Sequence, residues 1–442
     1  MESPPPIVYN LFPTLVVAPG EWLAHARRAR AMGFDWLYLN PVHYPGFSGS
    51  LYAVKDYGRL HPRLVADGGD ERLEALAPTV RAVRGAGLRV MMDLVINHTA
   101  RDSPLVSEHP GWYRRDAAGE VISPRAVDPD DVARVTVWGD LAEIDNEGAE
   151  NREGLWAFWE ALVRRCLALG VEGFRCDAAY KVPGALWHRL VSAARAAVPG
   201  VVFVAETLGC RLEEVRALEG AGFDYFYNSS KWWDFEAPWC LEQHERFRRA
   251  APSISFPESH DTARLAAETG GSEPVQRQRY AFAALFSAGV QLTVGYEFGF
   301  RRRLDVVATQ PEEWETPAFD LTPFIARVNA LKRRHPLLHG EGVLTAARGA
   351  PDVTVLRRWS DETGSERGLI LVNRSPAAVR EVEVDASEVG ADVRVFRFGE
   401  GTPPEGTPRP ARVGLEPAEV ALVAAPADRV ARPGGARPGS RG

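Results

Sequence analysis

Four short stretches bring acidic residues, two histidines and an arginine to the ends of strand-like runs: DLVINHT (Asp93 to Thr99), GFRCDAAY (Gly173 to Tyr180), VVFVAET (Val201 to Thr207) and FPESHDT (Phe256 to Thr262). A strand buried on both faces reads as a continuous apolar run. A charge at its carboxyl end escapes burial only at the rim of the sheet. Several such charges arriving at one rim mark the active face of an α/β barrel. Two carboxyl groups held in unlike protonation states there are the equipment of glycoside hydrolysis.

Asp177 closes its strand two residues after Arg175, on the same side of the pleat. An adjacent guanidinium favours the carboxylate, which suits a nucleophile or a stabiliser of developing positive charge. Taken alone, a buried ion pair accounts for the two equally well. Glu206 follows five consecutive apolar residues, an environment that raises a carboxyl pKa as a general acid requires; the bland alternative is an acid beside a helix start. His260 and Asp261 can bind hydroxyls through imidazole and carboxylate. Asp93 and Asn97 suit a hard-cation site or structural hydrogen-bond acceptors, and His98 is placed to reach a ligand.

Stretches of strand and helix character alternate from about residue 7 to about residue 335. The strand candidates are Ile7 to Tyr9, Trp36 to Leu39, Leu88 to Asp93, Gly173 to Asp177, Val201 to Ala205, Phe223 to Tyr227, Ile254 to Pro257 and Leu292 to Gly295. Amphipathic runs such as Glu21 to Met32, Arg72 to Ala86, Leu155 to Leu169 and Gly184 to Ala197 lie between them. This alternation predicts an α/β fold, a (β/α)8 TIM barrel of residues 1–98 and 152–335. Residues 99–151 are too long for a plain connection and predict an inserted subdomain over the barrel mouth. Short Val/Leu-rich segments predict a C-terminal antiparallel β-sandwich over 340–427, with one solvated face. The Gly, Pro and Arg-rich stretch 428–442 predicts a disordered tail.

The remaining composition narrows the function classes. The 442 residues carry a formal net charge of −7, which offers no general attraction to nucleic acid or anionic membrane. Cys166, Cys176, Cys210 and Cys240 lie far apart and form no metal-type cluster, so reduced structural thiols are expected. The first ten residues lack the features of a secretory signal, and no apolar run reaches transmembrane length. A cytoplasmic location is expected. A carbohydrate-binding barrel without catalysis is disfavoured because Asp177, Glu206 and Asp261 are all present.

In chain order, DLVINH, GFRCDAAY, the Ala-Glu-Thr around Glu206 and the Ser-His-Asp ending at Asp261 resemble the α-amylase family, glycoside hydrolase family 13. GFDWLYLNPV, YAVKDY, GDLAEIDNE and VGYEFG extend the resemblance. It implies Asp177 as nucleophile, Glu206 as acid/base and Asp261 as transition-state stabiliser. Arg175 would orient the nucleophile, while His98 and His260 would bind hydroxyls of the reacting sugar. Tyr52 would stack on that sugar, and Asp93 and Lys181 would complete the substrate contacts. No organic cofactor is implied; calcium is an open expectation, with Asn97 as its ligand. Tyr180-Lys181 departs from the Lys-His pair of many members. The spacing of Lys181, Pro183 and Trp187, and the run DLTPFIARVNALKRRHPLL, are similar to maltosyltransferases that use maltose 1-phosphate. The expected function is a retaining α-glycosidase acting on α-glucans or malto-oligosaccharides, the alternative an α-glucan transglycosidase of that maltosyltransferase type.

Overall fold

The computed structural model describes residues 4–127, 133, 135–390 and 392–427. Its centre is a closed barrel of eight parallel strands: β1 Ile7–Leu11, β2 Trp36–Leu39, β3 Arg89–Leu94, β4 Gly173–Cys176, β5 Val202–Ala205, β6 Tyr225–Tyr227, β7 Ser253–Ser255 and β8 Gly289–Thr293. Each strand pairs with its sequence neighbours, and β1 closes the ring on β8. A helix follows every strand, from Trp22–Ala31 after β1 to Thr322–Arg334 after β8. The parallel sheet so has helices on its outer face and side chains filling its interior.

The pleat sorts residues between these layers. Val8, Trp36, Met91, Val204 and Ile254 form the interior cluster, while residues such as Leu37, Val90, Phe174 and Phe203 belong to the larger core that includes the helices. Gly173 sits on the interior side of β4, where an added Cβ would lie 2.7 Å from the Trp36 ring. The expected eighth strand, Leu292 to Gly295, is displaced: β8 begins at Gly289. A Cβ there would stand 2.6 Å from Ile254, so the glycine lets β8 approach β7.

Two excursions rise from the carboxyl rim. After β2, His43–Pro45 and Val54–Leu60 form an antiparallel hairpin that the sequence reading left undivided. After β3, His98–Ala100 pairs with Leu141–Glu143, and Arg125–Val127 with Val135–Val137. Asn151 caps the next helix by accepting the Gly154 N–H.

Beyond the barrel, a six-stranded antiparallel sheet and the two-stranded sheet of Arg380–Glu383 and Arg412–Leu415 form a β-sandwich. The larger sheet does not have the solvated face expected from its alternation. Val355, Leu369, Leu371 and Val423 face the smaller sheet, whereas Leu356, Ile370, Val372 and Leu422 join the barrel core. Its central strand is buried on both sides, which explains the unbroken apolar run Leu369 to Val372. The four cysteines are free thiols. No helix of the described residues is long and apolar enough to cross a membrane. The expected disordered tail, 428–442, lies outside the described residues.

Candidate active site

The interior parity that buries Met91, Gly173 and Val204 turns polar one pleat further along: Asp93 follows Met91, Arg175 and Asp177 follow Gly173, and Glu206 follows Val204. Register sets Asp93 beside Arg175 on adjacent strands. The Arg175 guanidinium is buried and donates from one nitrogen to Asp93 Oδ1 at 3.0 Å and to Asp177 Oδ1 at 2.6 Å. A buried charge needs such pairing. Tyr38 and Tyr52 hydroxyls donate to the Oδ2 of Asp93 at 2.5 and 2.6 Å. Asp93 is not among the residues that line the cleft. Its place is beneath the floor, holding Arg175 and Tyr52.

Asp177, Glu206 and Asp261 line one cleft of about 480 Å3, together with Tyr52, Asn97, His98, Arg175 and Lys181. That volume falls within the roughly 300–1,000 Å3 of small-molecule sites. Backbone bonding couples the two strand ends that carry the first pair of acids: Glu206 N–H donates to the Cys176 carbonyl, and Ala179 N–H to the Glu206 carbonyl. Ala178 adopts a left-handed conformation (φ 40°, ψ 48°) in which its N–H donates to Glu206 Oε2 at 3.0 Å. Leu208 N–H donates to Oε1. Glu206 is thereby fixed facing Asp177's end of the cleft.

Burial pushes the Glu206 carboxyl up to about 7; Arg175 opposes that rise and the Asp177 charge adds to it. About half of the Asp261 side chain (53%) faces the cleft. The partial burial that would raise its pKa is outweighed by the His260 imidazole 3.0 Å away and by Arg175 and Arg303, leaving it at about 2. Neutral and charged carboxyls therefore share one cavity near neutral pH. His260 Nε2 also meets the Tyr52 hydroxyl at 2.7 Å, and the two rings lie parallel, centroids 5.5 Å apart. Burial lowers the His98 pKa toward the neutral imidazole; its Nε2 lies 3.1 Å from the Tyr52 carbonyl. The Nδ1 atoms of His98 and His260 are buried without a protein partner; His98 lines the cleft, and His260 lines a small pocket that shares Arg175, Glu206 and Asp261 with it.

Asn97 Oδ1 is likewise buried and unpartnered. It can serve a cation or a hydroxyl. Among the described residues, no three His, Cys, Asp or Glu side chains gather as a metal site, whereas calcium takes roughly six to eight oxygens, several of them carboxylate. Lys181 lines the cleft and donates to the Arg125 carbonyl at 3.3 Å.

The sequence reading missed Tyr38 and Asn40, which hold Asp93 and the Tyr52 hydroxyl, and Trp138 and Trp232, which line the cleft. The first pair was legible from interior parity along β2. The tryptophans carried no local signal distinguishing them from core aromatics.

A family profile described as "Glycogen debranching enzyme, glucanotransferase domain" matches residues 9–118. The chain is 31% identical over 94% of its length to an α-1,4-glucan:maltose-1-phosphate maltosyltransferase of Burkholderia pseudomallei, and 27% identical over 81% to one of Myxococcus xanthus. It spans 37% and 56% of those two proteins. The crystal structure of an α-amylase from Lactobacillus plantarum superposes with a TM-score of 0.71 at 21% identity, covering 95% of this chain and 98% of that one. With the closed barrel and these relatives in agreement, the chain belongs to the α-amylase family, glycoside hydrolase family 13, near its maltosyltransferase branch.

Proposed function

We propose that the protein is a retaining α-glucan transglycosidase that moves a maltosyl unit from maltose 1-phosphate to an α-1,4-glucan. The observation that carries the chemistry is the placement of Asp177 and Glu206 in one cleft, the first paired with Arg175 and the second raised to about 7. Asp177 attacks the anomeric carbon of the donor, forming a carbon–oxygen bond as the bond to the leaving oxygen breaks. Glu206 gives its proton to that oxygen. The acceptor 4-hydroxyl then attacks the same carbon, displacing Asp177 and returning its proton to Glu206. Two inversions retain configuration. Asp261 stabilises the positive charge that develops on the sugar ring, and Arg175 holds the Asp177 carboxylate in line. The neutral imidazole of His98, together with His260, binds the hydroxyls of the reacting sugar, and Tyr52 covers its face.

The curated relatives support transfer over hydrolysis as the outcome. Lys181 and Arg125, both lining the cleft, supply positive charge suited to a phosphate leaving group. Incubation with maltoheptaose, with and without maltose 1-phosphate, tests the proposal. Transfer predicts phosphate release and chains longer by one maltosyl unit, only when the phosphate donor is present. Shortened chains and maltose from maltoheptaose alone would instead mark a hydrolase.

A further inference from the structure

Trp232 and its neighbour Trp233 part company in the short helix Ser230–Trp232 after β6. Trp233 enters the core against Phe235 and Phe282, whereas Trp232 is left 52% exposed on the wall of the catalytic cleft. Its ring is not loose. Its edge meets Phe256 at 6.3 Å and 87°, and Lys231, tied to Glu268 at 3.1 Å, lies 5.6 Å from its centroid. An indole held half in water at a cleft retains an apolar face to offer a ligand. The distribution of such residues is uneven: Phe47 (69%), Trp138 (43%) and Trp232 stand on loops of the carboxyl rim. The sandwich shows only Val379 among the large exposed apolar side chains of the described residues.

Position decides which sugar Trp232 meets. In the ring of eight strands β6 stands opposite β2, so the loop bearing Trp232 and the excursion bearing Tyr52 rise from opposite sides of the rim, and both residues line the cleft. In the transfer reading Tyr52 and His98, on the excursions after β2 and β3, take the reacting sugar. Trp232 lies between the loops that bear Glu206 and Asp261, on the side where the proton is exchanged with the departing or arriving oxygen. We propose that Trp232 is the platform on which the acceptor α-glucan lays a glucosyl ring, setting transfer against hydrolysis. The inference rests on the transfer reading above.

α-Maltosyl fluoride separates the two ideas, because its leaving group needs neither an acceptor nor a proton. Fluoride release without acceptor reports attack by Asp177; elongation of maltohexaose reports acceptor use. In Trp232→Ala, fluoride release stays within about twofold of wild type, while the maltohexaose concentration for half-maximal elongation rises roughly tenfold and products shift toward maltose. Trp232→Phe, which keeps a flat ring, restores most of the acceptor response. Unchanged acceptor saturation in Trp232→Ala, with fluoride release intact, overturns the assignment of Trp232 alone. Fluoride release by the wild-type protein with no elongation of maltohexaose overturns the transfer reading and this assignment with it.

Discussion

Glu206 is where opposing local influences meet. Two backbone N–H groups and Arg175 favour its carboxylate, yet burial and the neighbouring Asp177 prevail and hold it at about 7. The first prediction is kinetic. With maltose 1-phosphate as donor, kcat/KM falls as pH rises above about 7, and this limb is lost with α-maltosyl fluoride, whose departure needs no proton. A limb equally steep with both donors would assign it to another group. The second concerns stability. A carboxyl whose folded pKa is raised from 4.5 to about 7 contributes fully below about pH 4.5, and that contribution is lost as pH rises through about 7. Glu206→Gln should therefore gain stability relative to wild type between pH 5 and 8, by up to about 3 kcal/mol in denaturant titrations. The acids themselves were legible in the sequence, because each closes an apolar run. Asp93 shows what sequence could not: its strand-end position looks like the others, and only the hydroxyls of Tyr38 and Tyr52, from a different strand and hairpin, tie it beneath the cleft.

At the scale of elements, the barrel works by keeping parity through its interior and changing chemistry at the last pleat. Gly173 is the small residue that lets Trp36 fill the layer beneath Arg175. Gly173→Ala would press a methyl group against that ring, and the expected cost is about 1–3 kcal/mol of stability. Turnover per folded molecule should also fall, since Arg175 lies two residues on. A fully active, equally stable variant would show that the layer is loosely packed. All eight strands overlap their expected positions, seven of them with bounds shifted by at most two residues. The eighth was misplaced by three because Gly289 and Val290 resemble loop as much as strand. The hairpin after β2 escaped notice because its strands alternate charged and apolar residues around Gly and Ser, the composition of a loop.

For the whole molecule, the sandwich is part of the barrel's outer packing. Arg358 is fully buried between them and donates to the carbonyls of Leu337, Phe286 and Gly340. Arg358→Met would leave three acceptors unsatisfied, so unfolding free energy should drop by at least about 3 kcal/mol with kcat unchanged in the folded fraction. A negligible change would mean that the two parts are only loosely joined. The solvated sandwich face expected from sequence is present on the smaller sheet, where Glu381 and Glu383 are exposed around buried Val382, and absent from the larger one. Alternation shows that a strand has two unlike faces, not what covers each, and here the second cover is the barrel.

The convergence of distant strand ends on one anomeric carbon is tested most directly by trapping the covalent intermediate. In Glu206→Gln supplied with α-maltosyl fluoride, glycosylation needs no acid, while release lacks its base. Intact-protein mass spectrometry should show a gain of one maltosyl unit, and peptide mapping should place it on Asp177. An adduct on another residue, or steady fluoride release with no adduct and inverted product, would contradict the account.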